Sequence, residues 1–397
     1  MADLLSKLRM LDAAPRRPAP AAREAQEGCY RSQATFPLSI FTDLRHLTPA
    51  VMESAFGLPF PPDLRPEDIL FLDTETTGLA GGAGTVAFLV GLGYFTGGGF
   101  AVEQVLMRDY GQENELLRTV SSVAGRFTAL CTFNGRTFDA PLLASRFVMN
   151  RISARLPDVH ADVLYPARRL WKLRLKRCNL ANLEEQLLHV KREDDLPGAE
   201  VPQTYFRYLR DGDFAPIERI LAHNRQDIVS LAQLLCFLCG QVDCPETVTS
   251  GQDLLSLARS LERRGDTAKA VKCYRLCARG ETRAEAFRAL AQERRRAGDV
   301  TAAIRLYETM LRRGDDPVAA CEALAKLYEE HRLHNPAQAL TYTRQALLLL
   351  SEPGLFRSEA VQARQVALQY RYARLRRRLC AACAKSTEKE EPSSWES

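Results

Sequence analysis

No stretch of the 397 residues stays apolar for anything near the roughly 20 residues that a membrane-crossing helix needs, so no membrane partner is expected. The first residues offer Lys7 and Arg9 but no apolar core followed by a small-residue cleavage site, and a secretory leader is not expected either. A disulfide framework is also missing. The 11 cysteines cannot all pair, and Cys236, Cys273 and Cys321 lie in stretches of helical pattern. Reduced core thiols are the simpler expectation there, and a reducing, cytoplasmic location follows from it. Charge of one sign hardly dominates: 54 Lys and Arg against 49 Asp and Glu leave +5, compatible with a polyanionic partner but no argument for one. Two nucleotide-binding signatures fail as well. The glycines of Ala80-Gly81-Gly82-Ala83-Gly84-Thr85 are not followed by the lysine of a phosphate-binding loop, and no G-x-G-x-x-G is present, so this segment implies only a tight turn.

What is present starts with length. The chain exceeds one ordinary core, and at roughly 150 residues per domain two or three domains are expected. Hydrophobic residues at 46% and charged residues at 26% are globular values. The informative stretch is Ile69-Leu70-Phe71-Leu72-Asp73-Thr74-Glu75-Thr76-Thr77-Gly78-Leu79. Its apolar run reads as a strand buried on both faces, and the run stops at two carboxylates one residue apart. Alternation along a strand points Asp73 and Glu75 the same way, with Cβ atoms roughly 6–7 Å apart, a separation that one or two divalent cations bridge. An edge strand ending in a solvated acidic turn is the plainer alternative. Against it, two acids leaving a buried strand cost several kcal/mol to desolvate unless cations or hydrogen-bond donors meet them.

Around that strand the pattern is one of alternating strands and helices. Val86 to Leu92 and Phe100 to Met107 read as the second and third strands of a meander, Glu113 to Val123 as a helix and Ala129 to Phe133 as a fourth strand. Residues 28–60 show little periodicity and end in Pro59, Pro61 and Pro62, so the domain is expected to begin near 63, after an extension over 1–62 that holds a proline-rich linker at 13–22. In Asn134-Gly135-Arg136-Thr137-Phe138-Asp139-Ala140-Pro141, Thr137 is the expected N-cap and Asp139 lies in the first helical turn, beside a strand end where α/β sheets carry their sites. Asp139 alone could equally complement the helix dipole.

From Arg168 to Arg177 the chain carries Arg168, Arg169, Lys172, Arg174, Lys176 and Arg177 with no acid, which suits a phosphate backbone as well as a solvated helix face. Arg174, Lys176 and Arg177 are the candidates for gripping nucleic acid outside a pocket. Leu180 to Val190 predicts a helix, broken by Arg192 to Gly198, where Asp194 and Asp195 read as a solvated turn. Ile217 to Leu238 predicts one long helix on which His223 and Asp227, four residues apart, share a face. Asp73, Glu75, Asp139 and Asp227, with His223, then make a set of carboxylates and one titratable base able to face a common cleft.

The order Asp-x-Glu-Thr-Thr-Gly-Leu, Asn-Gly-x-x-Phe-Asp-x-Pro-Leu-Leu and His-Asn-x-x-Asp-Ile-x-Ser-Leu resembles the ribonuclease H-like 3′–5′ exonucleases with four acids. Residues 30–240 are more closely similar to the YprB-type bacterial proteins, through Gly81-Gly82, Cys178-Asn179-Leu180 and Arg192 to Gly198. The resemblance implies an α/β ribonuclease H-like domain over 63–245, a mixed central sheet flanked by helices. It also implies two Mg²⁺ or Mn²⁺ ions held by Asp73, Glu75, Asp139 and Asp227, with His223 as the base that activates water. The implied activity is a metal-dependent 3′–5′ exonuclease acting at single-stranded DNA or RNA ends. By the same resemblance Thr76 and Leu79 touch the terminal nucleotide and Asn134 positions substrate. Proofreading relatives carry His five residues before the last Asp, or Tyr four before it, and His223 stands at the four-residue position.

Beyond 245, Ala, Arg, Leu and Glu predominate and an all-helical domain is expected over 250–383. Leu257-Ala258, Gly265-Asp266, Ala270-Val271 and Tyr274 recur 33 residues later as Leu290-Ala291, Gly298-Asp299, Ala303-Ile304 and Tyr307, and a third copy runs from Leu324-Ala325 to Ala339-Leu340. The period resembles tetratricopeptide repeats, which bind a peptide or protein partner or simply brace a neighbouring domain. Arg357 to Leu379 predicts a last helix, and 384–397 a polar, disordered tail. Cys236-x-x-Cys239 with Cys244, and Cys380-x-x-Cys383, have zinc-like spacing but sit on or at the end of helices, where plain thiols are expected. The alternative to an enzyme is a catalytically weak nucleic-acid-binding adaptor that recruits a protein through its repeats.

Overall fold

The computed structural model describes residues 28–78, 84–192, 196–330, 333–351 and 359–387. The proline-rich linker at 13–22, Leu79, the Gly81-Gly82 turn, Asp194, Asp195 and the end of the expected tail lie outside them. The chain forms two compact units, one from residues up to 168 together with 177–243, the other from 169–176 together with 244 onwards.

The first unit is built on a six-stranded mixed sheet of order β1-β4-β3-β2-β5-β6. β1 (Tyr30–Phe36), β4 (Gly99–Leu106), β3 (Ala87–Thr96) and β2 (Ile69–Thr76) run antiparallel to their neighbours, whereas β2, β5 (Ala129–Thr132) and β6 (Val159–Asp162) are parallel. The sheet and its flanking helices make the ribonuclease H-like architecture expected from the motifs. β2 lies between β3 and β5, and its residues Ile69 to Leu72 are completely buried, as a run apolar on both faces demands.

β1 and helix α1 (Pro49–Phe56) occupy the segment 28–60, where periodicity predicts no element. The sheet therefore begins well before 63. As an edge strand β1 alternates half-buried and exposed positions and needs no apolar face, so its signal is weak. Helices α2 (Glu113–Ala124), α3 (Asp139–Met149) and α4 (Leu164–Leu175) follow, the last of them belonging to the second unit from Arg169 onwards. The expected helix over 180–190 is instead a single turn, α5 (Leu180–Leu183), continued by a π turn over Glu184–Leu188 that ends at His189 in the left-handed conformation. α6 (Val201–Asp211) and the long α7 (Ala215–Asp243) complete the unit.

How close α7 comes to the sheet is set by two glycines of β3. A Cβ on Gly91 would overlap the side-chain amide of Asn224, and one on Gly93 would overlap the Ile228 methyl and the Phe100 ring. Asn224 and Ile228 are one helical turn apart, so they seat α7 against the sheet where those two side chains are missing. The same approach brings His223 and Asp227 to the acidic end of β2.

The second unit is helical throughout its described residues: α8 (Gly251–Arg263), α9 (Thr267–Cys277), α10 (Arg283–Arg296), α11 (Val300–Arg313), α12 (Pro317–Glu329), α13 (Pro336–Leu350) and α14 (Glu359–Thr387). The sequence offset has a structural counterpart. Gly265 and Gly298 both take left-handed backbone, and the Asp after each caps the next helix, Asp266 accepting from the Lys269 N–H and Asp299 from the Ala302 N–H. Buried Ala258, Ala270, Ala291, Ala303, Ala325 and Ala339 give the helices small residues to pack on. α14 runs to Thr387, past the 384 boundary at which the sequence predicts a disordered tail.

Candidate active site

The site is assembled at the end of β2. Asp73 stands opposite Gly91 and Glu75 opposite Leu89 in the β2–β3 ladder, and a register shift follows Glu75. Both carboxylates are half-buried, whereas Thr74 and Thr76 point the other way and are buried. This is the alternation that the sequence predicts. Thr76 closes the strand by donating its hydroxyl to the Gly78 carbonyl at 2.9 Å.

Asp139 arrives from β5 through a tight loop. It is the first residue of α3 and only 5% exposed, and the Thr74 hydroxyl donates to its Oδ1. Thr137 does not cap the helix. Phe138 holds that position without a side-chain bond, and the Thr137 hydroxyl instead turns back to the Asn134 carbonyl and side-chain oxygens. Asn134 has left-handed backbone (φ 67°), and its N–H donates to Asp162 at 2.8 Å. Asp162, buried at the end of β6, also accepts from the N–H groups of Arg136 and Leu164. Three main-chain donors on one carboxylate hold the loop that delivers Asn134 and Asp139. Sequence reading gives Asp162 no role because two of its three partners, Asn134 and Arg136, lie 28 and 26 residues away.

α7 supplies the rest. One ligand atom each from Glu75, His223 and Asp227 lie within 4.8 Å of one another. The His223 Nε2 is 3.8 Å from Glu75 Oε1 and 3.4 Å from Asp227 Oδ2. Burial, followed by the charges of Asp227, Asp139 and Glu75, raises the Asp73 carboxyl well above its ordinary value. Glu75 is pushed up to about 7, chiefly by burial, with His223 opposing and Asp227 and Asp139 adding. Asp139 rises to about 6 through burial, opposed by its bond from Thr74, and Asp227 is raised by burial against the pull of Arg192 and His223.

Arg192 is the member that sequence reading misses. Its guanidinium is bidentate to Glu184, which is 1% exposed, with both bonds at 2.7 Å, and one nitrogen also bonds Asp227. Another nitrogen lies 3.3 Å from His223 Nδ1. Arginine has only donors, so Nδ1 accepts, and the neutral ring carries its proton on Nε2, towards Glu75 and Asp227. The partners of Arg192 lie 8, 31 and 35 residues away, and the segment Arg192 to Gly198 that carries the resemblance does not indicate them.

The donor set fits hard divalent cations. Asp73, Glu75, Asp139 and Asp227 are oxygen ligands of the type Mg²⁺ and Mn²⁺ prefer, and burial, with the neighbouring carboxylates adding at Asp73 and Glu75, disfavours the ionised forms that a bound cation would stabilise.

The basic run is divided in its engagements. Arg174, on α4, makes an ion pair of 2.7 Å with Asp253 of α8, which is buried, so its charge is already committed. Lys176 has left-handed backbone and its ammonium donates to the Leu173 carbonyl, while Arg177 offers its carbonyl to Asn182. Cys236 and Cys239 are buried in α7, and burial raises the Cys236 thiol to about 12 and Cys239 well above its ordinary value, as protonated core thiols require.

Residues 70–239 match a family model described as the RNase_H superfamily. The chain is 36% identical over 171 residues to a Bacillus subtilis (strain 168) protein named uncharacterized protein YprB; the match covers 42% of this chain and 41% of that protein. Among solved structures, the family B DNA polymerase from the hyperthermophilic archaeon Pyrobaculum calidifontis aligns at 16% identity over 52% of this chain and 30% of that one, with a TM-score of 0.37. The RNase_H match and the mixed sheet agree on a ribonuclease H-like fold for the first unit, followed by an all-helical region.

Proposed function

We propose that the first unit is a metal-dependent nuclease, a 3′–5′ exonuclease that hydrolyses phosphodiester bonds at single-stranded DNA or RNA ends. The observation that carries this reading is the convergence of Glu75, His223 and Asp227 within 4.8 Å, with Asp73 and Asp139 adding their charge to the same buried cluster. Asp73, Glu75, Asp139 and Asp227 would hold two Mg²⁺ or Mn²⁺ ions. Bound there, the ions would supply Lewis-acid polarisation of the phosphate and ease loss of a proton from the attacking water. His223 holds its proton on Nε2 while Arg192 donates to Nδ1. To act as a base it must move that proton to Nδ1 as Arg192 withdraws, which frees Nε2 on the carboxylate side. Thr76, Leu79 and Asn134 would meet the terminal nucleotide, and Lys176 and Arg177 the strand beyond it.

End-labelled DNA and RNA incubated with the protein and Mn²⁺ should release mononucleotides, and Asp73→Ala should abolish the release. Equal cleavage by that variant would refute the assignment. A second reading, a catalytically weak adaptor, draws on the 33-residue correspondence of Gly265-Asp266 and Gly298-Asp299, which supports tetratricopeptide-like repeats and a protein partner. An adaptor of that kind should gain no thermal stability from Mn²⁺.

A further inference from the structure

Behind Asp73 lies a buried polar chain that neither the motifs nor the proposed reaction account for. Asn224 is 0% exposed and Gln104 1% exposed. Gln104 Nε2 donates both to the Leu221 carbonyl and to Asn224 Oδ1, each at 2.8 Å. A main-chain carbonyl can only accept, so the orientation of the Gln104 amide is determined, and with it that of Asn224. Asn224 must turn its Nδ2 the other way, where it donates to Asp73 Oδ2 at 2.9 Å. On the outer side Gln104 Oε1 accepts from the Ser32 hydroxyl at 2.9 Å and from Arg225 at 3.3 Å. The donors therefore all run in one direction, from β1 and α7 through two amides to Asp73, and each bond polarises the next. Gly91, opposite Asp73 in the ladder, is the residue whose missing side chain makes room for the Asn224 amide.

We infer that Asn224 is a positioning residue for Asp73. The Gln104–Asn224 amide pair claims one carboxylate oxygen and orients the other, so that the affinity of the cluster for divalent cations depends on a side chain that itself touches no cation. This rests on the cation-holding role proposed above. Asn224 and Asp73 are 151 residues apart, and Asn224 adjoins His223, which explains why a helix motif that carries the base also has an amide at this place.

The test is Mn²⁺ affinity, read by electron paramagnetic resonance as the loss of the free-ion signal, with thermal unfolding of the metal-free proteins alongside. Asn224→Ala should weaken Mn²⁺ binding about 10–100-fold, the range in which partners that orient ligands act. Gly91→Ala should do the same without touching an acid or an amide, because its methyl group pushes Asn224 off Asp73. The double variant Gly91→Ala/Asn224→Ala should bind like Asn224→Ala alone, since the methyl then has nothing left to displace. Normal Mn²⁺ affinity in Asn224→Ala, with or without a lower melting temperature, overturns the inference and leaves a packing role. If that variant does not fold, normal affinity in Gly91→Ala overturns it equally. No Mn²⁺ binding by the wild-type protein would overturn the cation reading itself and this inference with it.

Discussion

Arg192 and Glu184 show how an ion pair can hold the site together although the segment that opens at Arg192 gave it no role in the sequence. Glu184 is almost wholly buried and its bidentate partner is Arg192, so Arg192→Met leaves a carboxylate stranded in the interior. Breaking such a pair from one side costs about 3–5 kcal/mol. Calorimetry should show that loss, and Glu184→Gln in the same chain should recover part of it, because the stranded charge is then gone. The carboxylates make a second prediction, about pH. Glu75 sits at about 7 instead of 4.5, and Asp139 at about 6 instead of 3.8, with burial the main cause in both. Between the two values the folded chain keeps protons that the unfolded chain has released, so stability falls as pH rises through that window. In chelator, the melting temperature should therefore drop from about pH 5 to about pH 7.5. Glu75→Gln should flatten the slope, and Mn²⁺ should raise the melting temperature at the upper end, where the carboxylates are ionised. A slope unchanged in Glu75→Gln would remove Glu75 as its source.

At the scale of elements, the approach of α7 to β3 decides whether the catalytic candidates meet at all. Gly93 has no side chain where Ile228 and Phe100 press against the strand, so Gly93→Ala overpacks the interface and should cost about 1–3 kcal/mol. Adding Ile228→Ala should relieve it, which urea unfolding of the single and double variants can measure. The end of α4 behaves differently from its charge pattern. Arg174 neutralises Asp253, which is 3% exposed, so Arg174→Ala should lower stability by about 1–3 kcal/mol through the unpaired acid. An effect confined to nucleic-acid affinity, with stability unchanged, would restore Arg174 as a phosphate ligand.

Over the whole molecule, charge is unevenly shared. The unit containing residues 169–176 and 244 onwards has more Lys and Arg than Asp and Glu, while the unit with the sheet has the reverse, an imbalance that the overall +5 conceals. Nucleic-acid affinity should accordingly be salt-dependent. Replacing Lys176 and Arg177 together should weaken binding of every sequence alike and reduce the salt slope by about 1 for each phosphate that is no longer neutralised. An unchanged slope, measured by fluorescence anisotropy at several salt concentrations, would return both to the solvated surface.

Much of what short-range geometry governs could be read from the amino acids in order, although the cap at Thr137 and a regular helix over 180–190 did not form. Two-residue alternation put Asp73 and Glu75 on one side of a buried strand, the helical repeat put His223 and Asp227 on one face, and the offset of 33 paired Gly265-Asp266 with Gly298-Asp299, whose aspartates the structure then shows as matching caps. Where the chain had to meet itself, order alone was insufficient. Pairing of β1 with β4, the three main-chain donors on Asp162, the grip of Arg192 on Glu184 and Asp227, and the bond from Asn224 to Asp73 were all decided by tertiary structure. Periodicity reports which face of an element is buried, because that depends on near neighbours in the chain. It carries no information about which distant polar group will be enclosed beside which, and burial makes each such group demand a partner that only the folded chain supplies.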